Sequence, residues 1–422
     1  MALYDEVKQE AQKTKAASRL LAVLPTMVKN RILFSMADQI QAQSAFLTTE
    51  NEKDLDAGRK KGLTGPLLER LTLTPKRITA MAEGLRQVAA LPDPVGEILG
   101  MKRLPNGLQV GQMRGPIGVI GIIYESRPNV TADVAGLCIK SGNGVILRGG
   151  SEAIHSNTAI AAILESAGTS AGLPSCAVNL IKTTDRQAIY ELLKMEEAID
   201  LIIPRGGEGL IRTVIEHSKI PVMKHDKGIC HTFVDASADL EMAEAVCLNA
   251  KVQRPATCNA METLLVHEEI APHFLPRFSK NLAAAGGMIR ACERTLVLLK
   301  GGSDTVSPAS ESDWRTEYLD LTLSVKMVAS LDEAMEHIAH YGSQHSEAIL
   351  SRDYPNVTRF LNEVDASAVF VNTSTRFNDG FELGLGAEMG ISTSRIHARG
   401  PMGLCALTTA KFIVLGEGQV RE

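Results

Sequence analysis

Apolar residues come in short uninterrupted runs from Gly115 onward, separated by longer segments in which they recur at helical spacing. The runs IGVIGII (117–123), GVILR (144–148), AVNLI (177–181) and AIDLIIP (198–204) alternate with NVTADVAGLCIKSG, EAIHSNTAIAAILESAGTSAG, DRQAIYELLKM and GLIRTVIEHS. A strand that is apolar at every position is buried on both faces, and helices between such strands predict a parallel, doubly wound sheet. A second round follows, with strands HTFVD (231–235), ETLLVH (262–267), LTLSVKMV (321–328), EAILS (347–351) and SAVFVN, and with helices from about Ala238 and over LDEAMEHIAHYG. Each round has its own strand supply, so two α/β domains are expected, with a cleft between them as the first place to seek a site.

Two pieces fall outside this alternation. MKRLPNGLQVGQMRGP carries Asn106-Gly107 between strand-like flanks, a hairpin signal, and the chain closes on a strand-like LTTAKFIVLG. Neither suits a parallel sheet, and self-association is their expected use.

Composition narrows the class. Among 422 residues, 45% hydrophobic and 22% charged content describes an ordinary globular chain, and a net charge of -5 without a basic block argues against a nucleic-acid surface. The N-terminus lacks an apolar signal core and the longest apolar stretch resembles PIGVIGIIY, so a cytoplasmic chain with no membrane span is expected. Seven scattered cysteines without a C-x-x-C pair argue against a disulfide framework or a zinc knuckle. His337, His340 and His345 come nearest to a metal cluster, yet no carboxylate or cysteine completes a tetrahedral set, so no metal is expected.

Candidate chemistry concentrates in two places. Cys258 stands in the polar loop of KVQRPATCNAMETLLVH, just before a buried strand, where a merely space-filling cysteine is unexpected. After AIDLIIP, Gly206, Gly207 and Gly209 precede a helix, which suits either a phosphate approaching the backbone or a tight strand-to-helix turn. The G-x-G-x-x-G fingerprint is absent after the first strand, which disfavours a standard dinucleotide-binding dehydrogenase.

PIGVIGIIYESRPNVT, ILRGGSE, IPRGGEGLI, QRPATCNAMETLLVH, LDEAMEHIAHYGSQHSEAI and NTSTRFNDGFELGLGAEMGISTSRIHARGPMGL follow one another along nearly the whole chain. Together they resemble the gamma-glutamyl phosphate reductase family of the aldehyde dehydrogenase superfamily. The resemblance implies an aldehyde dehydrogenase-like α/β fold: an NADP-binding domain over 1–100 and 115–225, a catalytic domain over 226–398, and an oligomerisation element from 101–114 and 399–422. It implies NADPH-dependent reduction of L-glutamate 5-phosphate to the 5-semialdehyde with release of phosphate, the second step of proline biosynthesis. Glutamate 5-kinase, whose labile product this would be, becomes a partner to consider, alongside a homo-oligomer.

By the same resemblance Cys258 is the nucleophile that forms a thioester, and Asn129 is an oxyanion donor. The hydrolytic relatives carry a glutamate base; if Lys227 matches their lysine, that position holds Met223, which favours reduction over hydrolysis. Arg148 and Ser151 map to the adenosine-ribose positions, where a guanidinium without an acid suits a 2′-phosphate, although Glu152 adjoins them. Gly206 and Gly207 fall by the pyrophosphate or nicotinamide half, and Glu317 resembles the nicotinamide-ribose acid or is an ordinary loop acid. Arg127, Arg254 and Arg376 are substrate candidates, each with a rival use in an ion pair. Another thiol-dependent acyl or aldehyde dehydrogenase, or a non-catalytic protein keeping the fold, are the competing readings.

Overall fold

The computed structural model describes residues 2–63, 65–224, 227–299 and 304–421. The chain divides into two compact units, one of Met1–Lys224, Leu385–Met389 and Met402–Glu422, the other of His225–Gly384 and Gly390–Pro401. The expected boundary at 225/226 falls outside the described residues. The return of 385–389 to the first unit has no counterpart in the sequence reading.

In the first unit, β1 (Ile98–Arg103), β2 (Gln109–Pro116), β3 (Val119–Tyr124), β4 (Gly144–Gly149), β5 (Val178–Leu180) and β6 (Leu201–Arg205) are joined by β16 (Thr408–Leu415) near the C-terminus. The parallel sheet runs β5-β4-β3-β6, with Ile122 beside Leu147 on one side and Ile203 on the other. Strands β3 and β4 are buried at every residue, which is why they read as unbroken apolar runs. The strand order reverses between β3 and β6, so their carboxyl ends form the switch-point crevice where open sheets hold ligands.

Helices cover this sheet and are tied to one another by buried polar contacts. Asp54, on the helix Ser44–Lys60, accepts the amides of His155 (3.1 Å) and Ser156 (2.8 Å) and the Ser156 hydroxyl (2.6 Å). It thereby satisfies donors at the start of Ile154–Ala171 that the helix itself cannot.

The hairpin at Asn106-Gly107 and the C-terminal strand pair with each other. β16 runs antiparallel along all of β2, from Thr408 opposite Pro116 to Leu415 opposite Gln109, and β1 flanks β2 on its other side. Gly107 takes φ +88°, the left-handed conformation the turn requires. Ile98, Leu99, Met101, Phe412 and Val414 on this small sheet are exposed.

The second unit holds β7 (Cys230–Val234), β8 (Met261–His267), β9 (Met288–Ala291), β10 (Val306–Pro308), β11 (Thr322–Val328), β12 (Ser346–Leu350) and β13 (Ala368–Val371), with the two-residue pair β14 (Ile391–Ser392) and β15 (Gly400–Pro401) apart. Among the described residues the main sheet is parallel and ordered β10-β9-β11-β8-β7-β12-β13. The pattern predicted five of these strands; β9 and β10 are short outer strands without an apolar run and escaped it. Because neighbours are parallel, the segments preceding them collect along one edge: Gly228 before β7, Asn259 before β8, Glu317 before β11 and His345 before β12.

Among the described residues no helix is long and apolar enough to cross a membrane, no group of three metal-ligating side chains converges, and all seven cysteines are thiols. Of the three histidines singled out from the sequence, His340 bonds Arg315 (2.8 Å) and His345 bonds Ser346 (2.8 Å). His337 lies on the helix Leu331–Tyr341 with its ring edge-on to Trp314 (5.3 Å) and His231 (5.6 Å), and neither ring nitrogen has a hydrogen-bond partner.

Burial, helped by His231, pushes the His337 pKa down to about 2 from the ordinary 6.5. The folded state therefore refuses a proton that the unfolded chain takes up, so stability is intact above pH 6.5 and falls as the pH drops below it. The expected loss from this group by pH 5 is about 2 kcal/mol. Urea titrations of the parent and of His337→Phe across pH 7 to 5 check this: the variant's stability is expected to depend less on pH.

Candidate active site

Cys258 sits between the helix Leu240–Val252 and β8, half-buried, on a loop fastened on both flanks. Upstream, the Thr257 hydroxyl donates to the Arg254 carbonyl (2.8 Å), and the Ala260 amide turns back to Thr257 (3.0 Å). Downstream, Asn259 is buried and its carboxamide donates to the Asn378 carbonyl (3.0 Å), while its own carbonyl accepts the Thr375 hydroxyl (2.8 Å). The Asn378 amide reaches on to Ser346 at the start of β12 (2.8 Å).

Beneath the loop the packing is closer still. The Cys230 thiol donates to the Cys258 carbonyl (3.1 Å), and burial holds that thiol protonated by pushing its pKa well up. A Cβ built on Gly228 would lie 1.8 Å from the Cys258 oxygen and 2.6 Å from its Cα, so no side chain fits there. The Gly228 amide donates to Glu317 Oε1 (2.9 Å), which gives that acid a place beside the Cys258 loop. Gly228 and Asn259 were missed from sequence; the signals were a glycine after Lys227 and an asparagine next to the cysteine.

Two of the three expected arginines come together here. The Arg376 guanidinium bonds amide oxygens, those of Gln253 (Nε, 2.9 Å) and of Asn259. Its pKa is lowered by burial first and by the nearby Arg254 charge second, with the Cys258 thiol pulling the other way. Among the described residues neither Arg254 nor Arg376 is in an ion pair, and Asp379 lies beyond ion-pair distance of Arg376. Arg376, held on neutral acceptors with the Arg254 charge close by, is chemically suited to an anion next to a thiol. Arg127 belongs to the first unit, exposed on the turn that opens the helix Val130–Lys140.

The remaining candidates lie in the first unit. Asn129 begins that helix, and its amide nitrogen donates one hydrogen to Asp133 (2.8 Å), whose pKa burial raises to about 6. Arg148 ends β4 only 4% exposed; its guanidinium reaches the carbonyls of Gly149, Thr184 (3.2 Å) and Asp185 (3.2 Å), and its Nε is buried without a partner. Ser151 is exposed, while Glu152 turns to Ser126, accepting its amide (2.6 Å) and hydroxyl (2.8 Å). At the switch point, Glu125 Oε2 accepts the Gly207 amide (2.9 Å), and a Cβ on Gly206 would stand 2.4 Å from it. The donor that sequence offered to a phosphate is thus held by a carboxylate. Met223 is buried in this unit, its amide bonded to Ile202 (2.9 Å).

Residues 2–288 match the model of the aldehyde dehydrogenase family. The chain belongs to the aldehyde dehydrogenase family. Within that family it is 56% identical over 417 residues to the gamma-glutamyl phosphate reductase of Carboxydothermus hydrogenoformans, covering 99% of this chain and 100% of the relative. The enzyme of the same name from Geobacter metallireducens is 55% identical over 424 residues, with both chains fully covered. The crystal structure of gamma-glutamyl phosphate reductase from Thermotoga maritima superposes with a TM-score of 0.96 at 46% identity, covering 99% of this chain and 100% of that one. An acetylating aldehyde dehydrogenase from Geobacillus thermoglucosidasius, 16% identical with a TM-score of 0.70, shares the fold over 100% of this chain and 98% of its own. These relatives place the chain in the gamma-glutamyl phosphate reductase branch of the aldehyde dehydrogenases, oxidoreductases that work with a nicotinamide cofactor.

The aldehyde dehydrogenase loop around Cys258 depends on the bare Gly228 backbone. Gly228→Ala is expected to displace it by an ångström or more and to lower kcat by about a hundredfold or more. Steady-state kinetics on folded protein, with circular dichroism as the control, measure this.

Proposed function

We propose that the chain catalyses NADPH-dependent reduction of L-glutamate 5-phosphate to L-glutamate 5-semialdehyde with release of phosphate, the second step of proline biosynthesis. The observation that carries the reading is a clamped, half-buried thiol near two guanidiniums that, among the described residues, form no ion pair, in a chain matching this branch over its full length.

The Cys258 thiolate attacks the acyl carbon, the carbon–oxygen bond to phosphate breaks, and a thioester remains on the sulfur. The leaving phosphate is dianionic, and Arg254 and Arg376 hold the charge that develops on it, or the substrate's own carboxylate. When bound, the nicotinamide supplies the hydride that reduces the thioester. The resulting hemithioacetal collapses, returning the thiolate and releasing the aldehyde. If Lys227 matches the lysine of the hydrolytic relatives, their base position holds Met223, whose thioether cannot deprotonate water.

For the cofactor, Arg148 is the residue we assign to the 2′-phosphate: its guanidinium hydrogen-bonds carbonyls, with the Glu152 and Asp185 carboxylates acting on it only from farther off, and its buried Nε lacks a partner, which fits an anionic group. Ser151 sets no carboxylate beside it. Gly206 and Gly207 take the pyrophosphate once Glu125 swings off the amide. The exposed apolar residues of the β1-β2-β16 sheet support a homo-oligomer built through that element.

Run in reverse, the enzyme is expected to reduce NADP⁺ with glutamate semialdehyde only when inorganic phosphate is supplied; equal turnover without phosphate favours a hydrolytic dehydrogenase. Arg148→Glu is expected to raise the KM for NADPH about tenfold or more while changing that for NADH little. Parallel titrations with both cofactors measure the discrimination, and an unchanged ratio removes Arg148 from the site.

A further inference from the structure

Below the Cys258 loop lies a buried ion pair that neither the proposed chemistry nor the anion site uses. Lys251 Nζ stands 2.6 Å from Glu262 Oε2, and both side chains are 0% exposed. Lys251 lies seven residues before Cys258, at the end of the helix Leu240–Val252, and Glu262 four residues after it, in β8. The bond therefore closes a ring of covalent chain around the cysteine.

Glu262 is also out of step with its own sheet. Cys230 pairs with Met261 and His231 with Thr263, so the ladder between β7 and β8 skips Glu262. Such an extra residue re-aims a side chain, and these irregularities gather next to active sites. The re-aimed carboxylate makes a second contact: Oε1 accepts the Leu319 amide (3.3 Å). Leu319 adopts φ +56°, a left-handed conformation that a leucine takes only when its surroundings impose it. Two residues earlier on the same turn is Glu317, the acid that holds the Gly228 amide. Between them, the Tyr318 ring lies under the Lys251 ammonium at 5.7 Å, and its hydroxyl is anchored to Asp313 (2.8 Å).

We propose that Lys251 and Glu262 are positioning residues for Cys258. Their ion pair ties the helix entering the loop to the strand leaving it, and fixes the 317–319 turn that presses Gly228 onto the Cys258 carbonyl. This rests on the reading of Cys258 as the nucleophile. A pair placed only for stability would be interchangeable with apolar side chains of similar volume, which often fold as well or better. A pair placed for geometry is not.

The test is the double variant Lys251→Met/Glu262→Met in the full-length chain, assayed beside Glu262→Gln and Cys258→Ser. The folded double variant is expected to keep the KM for the acyl phosphate and for NADPH within about twofold, while kcat falls about tenfold to a hundredfold. Iodoacetamide modification of Cys258, followed by peptide mass spectrometry, is expected to slow several-fold. A purely structural pair would lower the melting temperature and leave both rates per folded molecule unchanged, which would overturn the proposal. Should the double variant not fold, Glu262→Gln decides: it keeps the volume and the Leu319 acceptor but not the charge, and wild-type kcat in it overturns the proposal equally. Activity in Cys258→Ser would instead sink the nucleophile itself, whereas an inactive Cys258→Ser with a fully active pair variant would sink only the positioning role.

Discussion

The main chain at Gly228 comes so close to that at Cys258 that even a methyl group would sit inside the carbonyl oxygen's radius. Two loops, each leading into one of two adjacent parallel strands, can touch this way only if one of them has no side chain. Once they touch, the Cys258 carbonyl is fixed from below by Gly228 and by the Cys230 thiol. The remaining freedom of the loop is taken up by Asn259 and its contacts with the 375–378 turn. A thiol held in this way loses little orientational freedom on reaching the bond-forming geometry, which is where much of an enzyme's rate can come from.

Such a backbone contact needs a rigid floor, and the second unit supplies it with buried polar groups rather than with hydrocarbon alone. Lys251–Glu262 and His231–Glu347 are both fully buried pairs, the second at 3.0 Å. Burial lowers the Lys251 pKa and raises that of Glu262 to about 7, so desolvation opposes the pair while mutual attraction restores it. Removing one partner from such a pair typically costs about 3–5 kcal/mol, yet the intact pair adds little net stability. Its worth lies in direction: an ion pair and a set of hydrogen bonds admit one arrangement, where packed methyl groups admit several near-equivalent ones.

How far the sequence reached follows from which residues act locally. Strands β3, β4, β7 and β8 are buried on both faces, and a residue string records that as an apolar run. Strands β9 and β10 sit at the sheet's outer end, carry arginine and proline, and leave no such trace. The hairpin and the terminal strand were each legible, but their pairing spans about three hundred residues and has no local signature. Cys258 stood out because its loop is a strange place for a cysteine; Gly228 did not, because its meaning is a contact with a loop thirty residues away. For Arg148 and Glu152 the residue types were readable, but not that the first would lie along carbonyls and the second turn to Ser126.

The disposition of charge around Cys258 carries the chemical argument one step further. Glu317 accepts the Gly228 amide and Glu262 faces Lys251, so both of these acids are engaged in holding backbone in place. A carboxylate that accepts an N–H or pairs with an ammonium has its lone pairs occupied, and Glu262 is in addition wholly shielded from solvent. The guanidiniums are arranged the opposite way: among the described residues neither is in an ion pair, Arg376 hydrogen-bonds only amide oxygens, and Arg254 and Asp379 act on its charge from farther off. A site with its bases committed and its cations uncommitted favours expulsion of an anion from the acyl carbon over attack by water on the thioester that remains. That asymmetry is what a reductase of an acyl phosphate requires, and it arises from the contacts that hold the loop in shape.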